Sequence, residues 1–234
     1  MSTEVSSGLA SSFTDLMTSL AVIFILLLVA SLNNMSVKSG STRGNIVEEL
    51  RQKLNNFIKE GVSVETDPSD PLSLLVLIPE GLLQFKVNDT GIPEQGQLFL
   101  QQFTPKLAQT LCSNDYRDKI DSVVIEGHTD SSGDERINLP LSQGRSMEVA
   151  KLSLAVIETA DYGIGADERS ALKQCFLNQV SASGRGSASP IKDGGGIEDK
   201  DRSRRVVYRI RVRSIEQRQQ FEKELSLGAS PAAK

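Results

Sequence analysis

The sequence predicts a mixed α/β (α+β) domain that follows a single N-terminal transmembrane helix. Three observations lead to this class. One apolar run stands alone near the N-terminus of a 234-residue chain whose mean hydropathy is −0.20. Behind it, short segments with the pattern of buried strands alternate with longer helical segments, an order typical of helices packed on a sheet. Charged residues make up 24% of the chain, as in ordinary soluble domains.

The apolar run covers residues 13–32 and reads FTDLMTSLAVIFILLLVASL. As a helix it would measure roughly 30 Å, the thickness of the hydrocarbon core of a bilayer. A cleaved signal peptide is the alternative, but such a peptide begins with basic residues, and residues 1–37 contain no Lys or Arg. We therefore interpret residues 13–32 as a transmembrane helix behind a short cytoplasmic tail, residues 1–12.

Composition excludes several classes of function. The net charge is −4 and the pI is about 5.2, so nucleic acid is not an expected partner. With one histidine and no short cysteine spacing, the chain offers little for a metal site or His-based catalysis, and we expect no cofactor and no enzymatic activity. Cys112 and Cys175 are compatible with one disulfide or with two free thiols.

Residues 33–72 are predicted to be a linker that includes a short amphipathic helix. Residues 33–44 are small and polar. Asn45 can then cap a helix, with Glu48 three residues later. One face of this helix would be apolar: Ile46, Leu50, Leu54 and Phe57. The face is explained by packing on the soluble domain or on a second copy, and a gating role is the alternative.

The remaining elements follow from hydrophobic periodicity. We predict strands at 72–79, 121–127 and 206–212 and helices at 93–111 and 138–160, with a further helical piece, ALKQCFLNQ, before a strand VSASG. The glycine-rich, charged residues 192–205 are predicted to be a solvated loop; calcium binding by its acidic residues is the alternative. Residues 215–234 are predicted to be a C-terminal tail.

A specific motif lies between the strand at 121–127 and the helix that follows. It reads VVIEGHTDSSGDERINLPLSQGR, residues 123–145. Its Gly-His-Thr-Asp at 127–130 and Leu-Ser-x-x-Arg at 141–145 resemble the OmpA-like peptidoglycan-binding family. Arg204-Arg205-Val206 resembles the strand entry of that family. The resemblance implies that residues 73–214 form an OmpA-like α/β sandwich domain that binds peptidoglycan.

The residues of the motif suit one ligand chemistry. A diaminopimelate side chain in a cell-wall stem peptide carries an ammonium and a carboxylate, so its site needs an anion and a cation at a fixed separation. Asp130 can accept from the ammonium, and Arg145 can hold the carboxylate bidentately. We place Asn138 and Leu141 beside them as further site residues. A salt bridge between Asp130 and Arg145 is the structural alternative, and His128 is expected to be structural.

The start of the apolar run contains an acid, Asp15. Acids in membrane segments usually serve function. The string TDLMTSL at residues 14–20 resembles the MotB-type stator subunits, and the whole run is most similar to the B subunits of Zorya anti-phage systems. This resemblance implies a homodimer inside a pentamer of MotA/ZorA-like membrane subunits, with protons or sodium ions carried by Asp15. A flagellar MotB stator, a passive OmpA/Pal-like tether, and a capping role for Asp15 are the alternatives.

The location follows from the same resemblance. A wall-binding domain implies a single-pass protein of the cell inner membrane with its C-terminal domain in the periplasm. The charges beside the span, Lys38 and Arg43, taken alone favour the opposite orientation. We choose the orientation with the C-terminal domain in the periplasm, because the predicted ligand, peptidoglycan, lies outside the cytoplasm.

Overall fold

The computed structural model describes residues 16–29, 46–55, 61–83, 85–159 and 163–214, together with positions 217 and 223. The chain divides into two compact units, residues 1–43 and 44–234. The second unit therefore begins before residue 73, because the helix at 46–54 and a strand at 63–66 belong to it.

In the first unit, residues 16–29 form a helix. It contains no charged residue, and its side chains are exposed throughout. Among the described residues, no helix combines the length and the apolarity that crossing a bilayer requires. Residues 13–15 and 30–32 of the predicted span, including Asp15, lie outside the described residues, and the transmembrane assignment stays a prediction.

The second unit alternates strands and helices as the sequence predicted. Helix α1 covers residues 46–54. The later elements are β1 (Ser63–Thr66), β2 (Ser73–Pro79), α2 (Glu80–Leu83), α3 (Glu94–Leu111), β3 (Ile120–His128), α4 (Glu135–Thr159), α5 (Ala166–Gln179), β4 (Val180–Gly184), α6 (Lys200–Ser203) and β5 (Arg205–Val212). The predicted mixed α/β class is confirmed.

The five strands form one sheet in the order β1-β2-β5-β3-β4. Neighbours are antiparallel except for β3 and β4, which are parallel and joined through α4 and α5. A parallel pair needs such a crossover, since its strands cannot be joined by a tight turn. Among the described residues, the last strand in the sequence therefore lies at the centre of the sheet.

One hydrophobic cluster joins the sheet to the helices. Phe103 of α3 packs edge-on against Tyr208 of β5, with 5.6 Å between ring centroids. Val149 of α4 is also fully buried in this cluster. The Tyr208 hydroxyl lies 3.1 Å from Ser153 Oγ, so its buried oxygen has a polar partner.

Helix α1 packs on the rest of the second unit, because Ile46, Leu50 and Leu54 are buried in the same cluster. Its Glu49 also accepts a hydrogen bond from the Tyr116 hydroxyl at 2.9 Å. This contact favours the packing role for the helix. The predicted cap Asn45 and the fourth apolar residue, Phe57, lie outside the described residues.

Cys112 and Cys175 form a disulfide that joins the end of α3 to α5. The bond closes a sequence separation of 63 residues. It lies beside a small cluster in which Ala108, Ile157 and Phe176 bring α3, α4 and α5 together. Of the two alternatives that the sequence left open, the structure contains the disulfide.

Some boundaries and short elements differ from the prediction. Helix α4 begins at Glu135 rather than 138, because Asp134 caps it by accepting the backbone N–H of Arg136 at 2.8 Å. The prediction of a solvated loop at 192–205 is wrong at its end, where α6 forms with Asp199 as its cap. Elements β1, α2 and α6 have four residues each, too few to show a clear period.

Candidate functional site

A cavity of about 400 Å³ lies where the end of β3, the first turns of α4, helix α2 and the start of β5 meet. Four predicted site residues line it: Asp130, Asn138, Leu141 and Arg145. The structure therefore brings together every predicted peptidoglycan-site residue. The predicted ion-carrying residue, Asp15, lies outside the described residues.

Asp130 lies in the loop that follows β3, and its side chain is held at both oxygens. Oδ1 accepts the backbone N–H of Ser132 at 2.8 Å, and Oδ2 accepts from Arg204 Nη1 at 2.6 Å. Burial alone would raise the pKa of Asp130, but the hydrogen bonds from Arg204 and Ser132 bring that pKa below its ordinary value. The residue is therefore a carboxylate at neutral pH.

Arg145 projects from α4 and is 5% exposed. Its guanidinium donates to Glu80 Oε1 at 2.9 Å and to the backbone carbonyls of Asp89 and Lys86, each at 3.1 Å. It also lies over the ring of Phe85, 4.8 Å from the centroid. Burial lowers the pKa of Arg145, while the charge of Glu80 acts in the opposite direction. These partners use three of the five N–H donors of an arginine and leave one on each terminal nitrogen.

Asn138 and Leu141 have different roles in the cavity wall. The Asn138 amide donates to the carbonyl of Ser132 at 2.9 Å and to that of Asp130 at 3.4 Å. It therefore fixes the loop that carries the Asp130 carboxylate. Leu141 is half-buried and supplies apolar wall.

Two charged residues of the cavity were not predicted as site residues: Glu80 and Arg204. Glu80 accepts from Arg145 through Oε1 and from Arg204 through Oε2. Arg204 also binds Asp130, so the four side chains form a chain of alternating charge in the order Asp130, Arg204, Glu80, Arg145. We call these four residues the charge array. Asp130 and Arg145 are thus each paired with another member of the array, and the alternative of a direct salt bridge between them is wrong.

Known proteins are similar in sequence to most of this chain, although no family model matches it. Zorya protein ZorB of Escherichia coli (Crooks strain) is 24% identical over 213 residues, which are 85% of this chain and 86% of the relative. ZorB of Escherichia coli O139:H28 is 26% identical over 206 residues, 85% of this chain and 78% of the relative. The chain is similar to ZorB. The resemblance read from its motifs is confirmed.

Among solved structures, a putative MotB-like protein from Desulfovibrio vulgaris has a TM-score of 0.49 at 17% identity. The likeness covers 76% of this chain and 99% of that one.

The residues at both ends of the array, Asp130 and Arg145, can still bind a ligand. Asp130 is a carboxylate that can accept from an ammonium, and Arg145 keeps donors for a carboxylate. The four formal charges of the array sum to zero, so a ligand that carries one charge of each sign adds no net charge to a largely buried site.

A buried hydroxyl also lies in the cavity wall. Thr129 is 6% exposed, and its Oγ1 has no hydrogen-bond partner among the described residues. Buried polar groups usually have partners. Thr129 belongs to the Gly-His-Thr-Asp motif but is not among the predicted site residues.

His128 is the last residue of β3 and does not line the cavity. Its Nδ1 is 3.3 Å from the carbonyl of Ala188, and its Nε2 is 3.5 Å from Glu126 Oε2. Glu126 is in turn held by Arg209 at 2.9 Å. The ring therefore packs among structural partners, as expected for a residue with a structural role.

Only one of the two missed residues had a signal in the sequence. Arg204 belongs to the Arg-Arg-Val string that resembles the strand entry of the OmpA-like family. For Glu80 the sequence offered none, because its partners lie 65 and 124 positions away. Arg204 is brought to it by the pairing of β2 with β5, and Arg145 by the packing of α4.

Proposed function

We propose that this chain is the B subunit of an ion-driven MotA/MotB-like membrane motor that is anchored to peptidoglycan and acts in Zorya anti-phage defence. Similarity to ZorB along 85% of the chain supports the class of protein. The charge array is the single observation that carries the wall-binding half of the proposal. It places an anion and a cation in one cavity.

The ligand is the diaminopimelate side chain of a peptidoglycan stem peptide. Its ammonium binds Asp130, and its carboxylate binds the free donors of Arg145. Asn138 holds the loop of Asp130 in place, and Leu141 supports the aliphatic part of the ligand. Burial strengthens both ionic contacts, because water screens them less inside the cavity than on the surface.

The membrane half of the proposal rests on the N-terminal unit. Residues 16–29 form a helix whose residues are apolar except for Thr18 and Ser19, and such a helix favours an apolar environment. We assign residues 13–32 as its transmembrane segment and Asp15 as the ion carrier. The partners are a second copy of this chain and a pentamer of ZorA-like subunits, and the ion is a proton or sodium.

The disulfide supports a location for residues 33–234 outside the cytoplasm. Disulfides persist in oxidising compartments such as the periplasm and are rare in the cytosol. The bond between Cys112 and Cys175 lies within the compact second unit. The chain is then a single-pass inner-membrane protein in which residues 73–214 reach the cell wall.

Retention of the detergent-solubilised chain on purified peptidoglycan tests the anchor. Asp130→Ala and Arg145→Ala should each abolish retention, because each removes one of the two charges that hold the ligand. We expect each variant to lose about 1–3 kcal/mol of folding stability, since each loses an ionic hydrogen bond within the array and leaves the array with a net charge.

Asp118→Ala is the matched control, because Asp118 is exposed on the surface beside Arg117. It should be retained like the wild type. Normal retention of both cavity variants would refute the assignment of the ligand.

A further inference from the structure

Glu80 already pairs with both arginines of the site, Arg145 and Arg204, when no ligand is bound. Oε1 accepts from Arg145 at 2.9 Å, and Oε2 accepts from Arg204. Its side chain is 19% exposed and lines the cavity. A ligand carboxylate that approaches Arg145 therefore meets a carboxylate already in place.

The backbone holds Glu80 there. It is the first residue after β2, and its N–H donates to the carbonyl of Arg204 at 3.2 Å. This bond continues the pairing of β2 with β5 by one residue. Glu80 is thus a fixed part of the cavity wall, and its carboxyl group lies beside both arginines whenever the sheet is formed.

The charge of Glu80 decides which ligands fit. With Glu80 the array has two carboxylates and two guanidinium groups and is neutral. An added ligand with only carboxylates would face repulsion from Glu80 and Asp130. A ligand with an ammonium beside its carboxylate satisfies Asp130 as well as Arg145 and leaves the site neutral.

We propose that Glu80 is a specificity-determining residue that restricts the cavity to zwitterionic ligands by competing with simple carboxylates for Arg145 and Arg204. This inference rests on the proposed function, since it concerns the same cavity. It assigns to Glu80 the rejection of anionic ligands, while Asp130 and Arg145 make the attractive contacts. Specificity commonly combines both kinds of contact.

Calorimetric titration of the detergent-solubilised chain with two small ligands tests the proposal. meso-Diaminopimelic acid carries the zwitterion, and pimelic acid has the same seven-carbon skeleton without the amino groups. The wild type should prefer diaminopimelic acid. Glu80→Gln should bind pimelic acid about tenfold more tightly and so reduce this preference, because it removes the carboxylate that both arginines share and gives the array a net positive charge.

Glu126→Gln is the matched control, because Glu126 is also a buried carboxylate held by an arginine, Arg209, but lies on the other side of the sheet end. It should keep the wild-type preference. Glu80→Asp should keep much of it, because the charge remains. If Glu80→Gln does not fold, Glu80→Met provides the same neutralisation without a polar end.

An unchanged preference in folded Glu80→Gln overturns the role of Glu80 while leaving the proposed function intact. Equal affinity of the wild type for both ligands overturns it too. Failure of the wild type to bind diaminopimelic acid or peptidoglycan at all overturns the proposed function, and the inference falls with it.

Discussion

Asp130 shows how a single residue serves both the fold and the site. The residue is 8% exposed, yet its carboxylate stays charged because Arg204 and the N–H of Ser132 bind it. The same charge that a ligand would use therefore contributes to stability when the cavity is empty. This double role makes the residue testable without any ligand.

The pH dependence of stability should report this contribution. The pKa of Asp130 is lowered from 3.8 in the folded chain. Its ionised form therefore stabilises the fold above pH 3.8, and this stabilisation is lost as the pH falls through the lowered pKa. We expect Asp130→Asn to melt below the wild type at pH 6, and the gap in Tm to narrow as the pH falls below about 3.8.

Circular dichroism melts across this pH range measure the gap. Asp118→Asn controls for the loss of a negative charge at an exposed position. A gap for Asp130→Asn that stays constant down to the most acid pH would show that Asp130 contributes nothing through its ionisation.

Residues of the site were predictable where they lie close in sequence. Asp130, Asn138, Leu141 and Arg145 fall within sixteen positions, so one motif contained them all. Glu80 depends on strand pairing that no local pattern reveals. Arg204 was visible only as part of a string, and its role as the link between two carboxylates required the fold.

At the scale of elements, the approach of α4 to the sheet decides the geometry of the cavity. Helix α4 carries Asn138 and Arg145, and β3 leads into the loop of Asp130. They come close because Gly127 lacks a side chain. A Cβ atom there would lie 2.1 Å from the carbonyl oxygen of Ser142, which is helix backbone and cannot rotate away.

Gly127→Ala should therefore move α4 away from the sheet. We expect a loss of about 1–3 kcal/mol in the free energy of unfolding, the usual cost of overpacking. Denaturant titration measures this loss, and retention on peptidoglycan should fall because Arg145 moves away from Asp130. Gly194→Ala is the control, since a Cβ there meets nothing within 4 Å. Equal stability of the two variants would contradict the close approach.

The elements of five or more residues were predicted from the sequence, and the four-residue elements were not. Strands β2, β3 and β5 and helix α3 appear within two residues of their predicted limits. Strand β1 escaped prediction because Val64 is the only buried residue among its four. Helix α6 was hidden in a charged, glycine-rich segment, where its cap Asp199 resembled any other loop residue.

At the scale of the whole molecule, Asp15 distinguishes a motor from a passive tether. A membrane potential supplies about 2.3 kcal/mol per charge per 100 mV, so a carboxylate that binds and releases a cation can draw work from each passage. Asp15→Asn keeps the shape of the side chain but cannot exchange charge. We expect it to insert and assemble with its partner normally yet lose all ion-driven function, scored as phage protection or as motility.

Glu4→Gln is the matched control, because Glu4 is the other acidic residue among residues 1–44. It should retain function. Full activity of assembled Asp15→Asn would leave the protein as a tether and Asp15 as a helix cap.

The position of β5 has a consequence for biosynthesis. Of the strands that the structure describes, it is the last to leave the ribosome, yet β2 and β3 both pair with it. Until residues 205–212 are made, β2 and β3 each have one unpaired edge. The pair β1-β2 and the pair β3-β4 are then not joined into one sheet. The complete sheet can therefore form only after residues 205–212 have been made. A chain that stops short of residue 205 would lack the central strand and would be exposed to proteases.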